Sequence, residues 1–192
     1  MREIESLNLL PVATKVSALA HNVGSDQFAD PTPCDEMPVK TLLEHLMVAM
    51  RYSASAATGV PPEDDPKIEI SPDDDSWKAE FTRRATALAT AWADPEAWLG
   101  NASAGGVETT AQEAGRAAAM ELVLHGWDLA TATKQPFSPD DAAVGAVVEI
   151  MEAWADAEGR EVAFGPVVDV PDDAPPLARA LALSGRNPEW SA

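Results

Sequence analysis

Apolar side chains return every three or four residues along most of this chain. That is the spacing of one buried helix face, not the alternation of a strand. Val12, Val16, Leu19 and Ala20 form such a stripe in a first predicted helix, about Leu9 to Val23. Asn8 is its cap, and Pro11 falls in the first turn, where a missing N–H is tolerated. Leu42, Leu46, Ala49 and Met50 line a second helix, opened by Pro38 and running to about Ala57. Trp77, Phe81, Arg84 with Ala85, Leu88 and Trp92 mark a third, capped by Asp75 or Ser76 and ended by Asp94-Pro95. A fourth runs from Thr110 to about Thr133, its start signed by the capping box Thr110-Ala111-Gln112-Glu113. Ser138-Pro139-Asp140-Asp141 supplies a cap, a proline at the first position and acids in the first turn, and so opens a fifth. Its stripe is Val144, Val147, Val148, Met151 and Trp154 with Ala155. A short last helix spans Pro175 to Ser184.

The connections are punctuated by proline, glycine and acids. Asp30 to Pro38 is extended, and Thr58-Gly59-Val60-Pro61-Pro62 stops the second helix. The acidic loop Glu63–Asp75 is long for a connection, which predicts a mobile segment or a lid, with Lys67–Ile70 as a brief strand. Trp98 to Glu108 predicts a short hairpin or loop, and Phe164–Pro171 an extended segment. There is no internal repeat, glycine-rich phosphate loop, cysteine pair or nucleophile elbow. These elements predict an all-α, antiparallel helical bundle with a short last helix at the C-terminal end. They predict one domain over residues 1–192, its tail from about 160 packed on the bundle.

Composition narrows the function classes. The chain has 192 residues, 46% of them apolar, which is globular rather than disordered. The formal net charge of −19 opposes binding to a phosphate backbone or to an anionic membrane. The acids cluster in turns such as Asp73-Asp74-Asp75 and Asp172-Asp173, without the ligand spacing or central glycine of a calcium loop. No apolar run is long enough to span a bilayer, and the charged N-terminus lacks a signal-peptide core. One cysteine, Cys34, excludes an internal disulfide and fits a reducing cytoplasm, the expected location.

The candidate chemistry sits on the fourth helix. Glu121 and His125 are four residues apart and share a face, and Asp128 follows two turns after Glu121. Their neighbours are Ala117, Ala118, Leu122, Leu124 and Leu129. A carboxylate among such side chains is costly unless it is partnered, and a divalent metal is one partner. His45, on or beside the apolar face of the second helix, completes a two-histidine, one-carboxylate set with an open coordination position, as in catalytic zinc sites. A solvated helix face carrying a Glu–His pair has the same spacing, and Asp128 also reads as a surface carboxylate. His21, at the end of the first helix, reads as a surface residue favoured by the helix dipole.

Several motifs together resemble a known family. They are Pro31-Thr32-Pro33-Cys34, Val39-x-x-Leu42-Leu43-x-His45-Leu46, Glu121 to Ala130, Phe164-Gly165-Pro166 with Pro171, and Gly185-Arg186-Asn187-Pro188-Glu189-Trp190. This set resembles the actinobacterial branch of the DinB-like superfamily, related to the metal-binding domain of mycothiol-dependent maleylpyruvate isomerases. The resemblance covers nearly the whole chain. It implies a four-helix bundle holding one divalent ion, zinc or nickel, on His45, Glu121 and His125. The chain departs from it at Met37-Pro38, where many relatives carry an aromatic and a hydroxyl residue. Only the tail after Arg160 stands where those isomerases carry a further domain that contributes to their active site, so isomerase activity itself is not implied.

Three functions compete. In the first, a mycothiol-dependent transferase or isomerase, the metal activates the thiol of a small-molecule cosubstrate toward an electrophile, and Asp128 orients a ligand, serves as a fourth ligand or acts as a base. The loops 63–75 and 98–108 then shape the substrate mouth, with Arg51 near an anionic group. In the second, the metal activates water for hydrolysis, with Asp128 or Glu44 as base. The third is a metal-binding protein without catalysis, a sensor or a partner-binding bundle. Under each reading the protein is a monomer or a homodimer.

Overall fold

The first four predicted helices form the bundle. The computed structural model describes residues 6–34, 37–61, 68–104, 106–157 and 159–191. Helix α1 spans Leu10–His21, α2 Val39–Thr58, α3 Ser76–Ala91 and α4 Ala111–Ala132. Each of α1 and α2 packs on both α3 and α4, so the four close round one apolar interior. Val12, Val16, Leu42, Leu46, Met50, Phe81, Leu88, Leu122 and Val123 are all buried there. Helix α5, Asp141–Trp154, lies against the outer side of α4, and α6, Pro176–Leu183, packs on α5. A two-stranded antiparallel hairpin, β1 Asn101–Ala104 and β2 Val107–Thr110, leads into α4 with Asn101 opposite Thr110. The chain is mainly helical, with the DinB-like arrangement expected.

Helix α4 is cut at both ends by local chemistry. Thr110 Oγ1 accepts from the Glu113 N–H at 3.2 Å, and the Glu113 carboxylate accepts from the Thr110 N–H at 3.0 Å, the reciprocal capping box. At the far end the Thr133 hydroxyl donates back to the Leu129 carbonyl. The helix between them is alanine-rich and buried on most sides, as a central bundle helix must be. Gly126 lets α1 come close: a Cβ there would sit 2.7 Å from Phe137 and 2.8 Å from Val16. The one residue that admits this crossing follows His125 directly.

Some local expectations shift. Helix α5 starts at Asp141, not at Pro139, because Asp140 is the cap and accepts from the Ala143 N–H at 3.0 Å. Trp154 belongs to the exposed side of α5, 43% accessible, and packs edge-on against Phe164. Ile68–Ile70 makes no strand; the Ile70 N–H is taken by Glu44 at 2.9 Å. Lys67 and the first half of the acidic loop, residues 62–67, lie outside the described residues. Helix α1 starts at Leu10 with Leu9 at the cap position, not Asn8; the Asn8 side chain, one residue upstream, accepts from the Leu10 N–H at 3.1 Å.

Two surface acids carry a pH dependence. Hydrogen bonds from Arg83, with Arg84 beside it, bring the Glu80 carboxyl from 4.5 to about 2. The Thr109 and Thr110 hydroxyls and the Thr110 N–H bring Glu113 from 4.5 to about 2. Folded values below the unfolded ones mean that this contribution is complete above about pH 4.5 and is lost as the pH falls toward about 2. The urea midpoint is therefore expected to fall across that window, and the decline should shrink in a Glu80→Gln, Glu113→Gln double variant. An equal decline in the double variant would assign the acid sensitivity to other groups.

Candidate metal centre

Helices α2 and α4 run antiparallel, since the end of α2 and the hairpin feeding the start of α4 meet at one end of the bundle. This brings the second turn of α2 opposite the middle of α4. His45 Nε2 then lies 3.0 Å from Glu121 Oε2, and His125 Nε2 lies 3.6 Å from the same oxygen. The two imidazoles meet edge to face with centroids 4.8 Å apart. His45, Glu121 and His125 each offer one donor atom to a cluster no more than 4.8 Å across. Leu42 and Leu46 are fully buried beside half-buried His45, so the site opens from the core toward the surface.

Electrostatics follow from this crowding. Burial pushes the Glu121 carboxyl up, but the His45 hydrogen bond and the charges of His125, His45 and Arg186 outweigh it and leave the group below its usual range. His45 is raised, chiefly by the Glu121 hydrogen bond and against its burial. The 3.0 Å contact between a ring nitrogen and a carboxylate oxygen needs a positive centre between them, here a proton. Two imidazole nitrogens and a carboxylate oxygen are a donor set that suits zinc, nickel and related divalent ions. The residues present therefore fit such an ion.

Asp128 is wholly buried, not a surface carboxylate. Its Oδ2 is 2.9 Å from His125 Nδ1, the ring nitrogen turned away from Glu121. Arg186 grips the same carboxylate through Nε to Oδ1 and Nη2 to Oδ2, each at 2.8 Å. Burial raises this carboxyl, and the bonds from His125 and Arg186 more than offset it, so it stays ionised. Arg186 is 58 residues from Asp128, and no spacing rule in the sequence joins the two. The only sign was its place in the Gly185–Trp190 motif.

Cys34 is the other residue that sequence reasoning left without a role. It clusters with His125 and Asp128 within 4.8 Å. Thr32, buried, shapes its turn by donating to the Met37 carbonyl and accepting from the Cys34 N–H. That trio is a poor cation site, because both Asp128 oxygens already serve a guanidinium.

The remaining candidates fall elsewhere. Glu44 pairs with Lys40 at 2.9 Å and holds the Ile70 N–H through the same oxygen, Oε1, and so anchors the segment before α3. His21 is exposed at the end of α1. The hairpin lines a cavity of about 460 Å³ with Tyr52, Ser55, Gly59, Leu99 and Glu108. Tyr52 is the member of that lining on α2 nearest His45, and it lies about 10 Å further along the helix axis. The hairpin therefore borders a separate cavity rather than the mouth of the metal centre.

Comparison with known proteins uses the same elements. The model of the mycothiol maleylpyruvate isomerase N-terminal domain family matches residues 9–130, which include α1 to α3 and α4 through Ala130. The chain belongs to this family. Among solved structures, a mycothiol-dependent maleylpyruvate isomerase superposes with a TM-score of 0.53 at 18% identity, covering 83% of this chain and 77% of that one. At that identity the likeness establishes the shared fold. Curated proteins include no match. Arg186, α5 and α6 lie beyond the stretch that places the chain in the isomerase N-terminal domain family. No helix among the described residues is long and apolar enough to cross a membrane.

Proposed function

We propose that the chain is a divalent-metal protein that uses a small-molecule thiol, mycothiol by family kinship, in a transferase or isomerase reaction. The observation that carries this is the convergence of His45 Nε2, Glu121 Oε2 and His125 Nε2, with the second nitrogen of His125 already held by Asp128. In this reading His45, Glu121 and His125 hold the ion and leave a coordination position free. When bound, the ion supplies a Lewis acid that makes a thiol sulfur easier to deprotonate.

The residues favour a thiol over water as nucleophile. Hydrolysis needs a base near the activated water. Asp128 has both oxygens engaged by Arg186 and His125, and Glu44 turns one oxygen, Oε1, to both Lys40 and the Ile70 N–H. A thiol, more acidic than water by several pK units, loses its proton to solvent without such a base. In transfer, the sulfur lone pair forms a bond to an electrophilic carbon of the second substrate, the leaving group departs with its bonding pair, and the thiol proton passes to solvent.

The test is metal content by mass spectrometry on protein purified without an affinity tag, followed by mycothiol consumption with an electrophile panel. About one equivalent of metal is expected, as in a single three-ligand site, with thiol loss that stops on chelation and returns with zinc or nickel. A protein that stays empty after both metals are added would overturn the reading. Turnover of an ester or amide with no thiol present would replace it with hydrolysis.

A further inference from the structure

The C-terminal tail reaches the metal centre through one residue. After α6, Gly185 turns the chain at φ +85°, and a Cβ there would lie 2.7 Å from Gly165. Only glycine fits both the left-handed backbone and the close pass. Arg160 clamps the same crossing by donating to the carbonyls of Gly165 and Leu183. The turn delivers Arg186 into the bundle, where it is 8% exposed and also donates to Ser184 Oγ at 3.1 Å.

We propose that Arg186 is a positioning residue that works through Asp128 to hold the His125 ring with its proton on Nδ1 and its Nε2 lone pair facing Glu121 and His45. A buried carboxylate keeps its charge only with a partner, and the guanidinium fork supplies two parallel bonds to it. The ionised Oδ2 accepts the Nδ1 hydrogen at 2.9 Å. Arg186 Nη2 is also 3.4 Å from His125 Nδ1, but both are donors in this arrangement, so the proximity follows from their shared oxygen. A carboxylate behind a ligating imidazole fixes its tautomer and orientation, and here the carboxylate is fixed in turn by the tail. Lysine would restore the charge without the fork. The metal arm of the test rests on the reading of the site above; the tautomer arm does not.

The experiment compares wild type with Arg186→Gln, Arg186→Lys and the Arg186→Gln, Asp128→Asn double variant. Nitrogen NMR of metal-free protein at alkaline pH reads which nitrogen of His125 carries the proton. Competition with a chelator reads zinc affinity. In wild type the proton is expected on Nδ1, and in Arg186→Gln that preference relaxes while zinc affinity falls by about ten- to a hundredfold, the cost of losing an outer-shell partner. Arg186→Lys should fall between. If Arg186→Gln does not fold, the double variant removes the unpaired buried charge and should show the same two changes. An unchanged tautomer in folded Arg186→Gln or in the double variant would overturn the proposal. If wild type takes up no zinc, the metal reading fails, and the tautomer comparison still decides the role of Arg186.

Discussion

Glu121→Ala is expected to purify without metal and to bind added zinc far more weakly than any outer-shell variant. Glu121 supplies the only carboxylate in the three-residue cluster, and its Oε2 is the atom nearest both imidazoles. Losing it leaves two neutral nitrogens and removes the negative charge that attracts the cation. Loss of an outer-shell partner costs about ten- to a hundredfold in affinity. Loss of the anionic ligand itself should exceed that. The helix should survive, because the site is half-buried and alanine is the best helix former. Circular dichroism with metal analysis separates the two effects. Cys34→Ala is the informative companion. It should retain metal, because Cys34 belongs only to the alternative cluster with His125 and Asp128. Metal lost from Cys34→Ala and kept in Glu121→Ala would move the centre to that trio.

Asp128→Ala is expected to be the most destabilising single change at the centre, by about 3–5 kcal/mol, the cost of breaking a buried ion pair from one side. Asp128 is fully buried and Arg186 nearly so, and the variant strands the guanidinium with two unanswered donors. His125 Nδ1 loses its acceptor in the same step. Urea denaturation of Asp128→Ala against an Asp128→Ala, Arg186→Met double variant apportions the loss. Recovery of most of the stability in the double variant identifies an unpaired charge as the cause. A double variant as unstable as the single would place the cost in the packing of α4 instead.

How much of this was legible in the chain differs from residue to residue. The fourth helix could be read almost to its ends, because the Thr110–Glu113 capping box is a local exchange of hydrogen bonds. The fifth was misplaced by two residues. Ser138 and Asp140 are both good caps, and only the observed bond from the Ala143 N–H chooses between them. Trp154 sits at the right spacing for the core stripe, but α5 has ended its burial by then, so periodicity overestimates the depth of its last turn. Glu44 looked available as a base until the chain returned past it at Ile70.

What the sequence by itself determined is therefore whatever acts within a turn or two of helix. That covers the helical stripes, the caps, and the placing of Glu121, His125 and Asp128 on one side of α4, because a period of 3.6 residues carries orientation along a helix without outside help. The apolar run of the second helix offered His45 as a candidate partner to that face, and the family motifs pointed to the same residue. The tertiary structure alone decided that Asp128 is buried behind His125 and not exposed, that Arg186 neutralises it from 58 residues away, and that Cys34 lies beside them. Those contacts depend on how the tail crosses at Gly165 and Gly185 and on how α2 faces α4. No local period encodes them, because they are set by the closure of the chain upon itself.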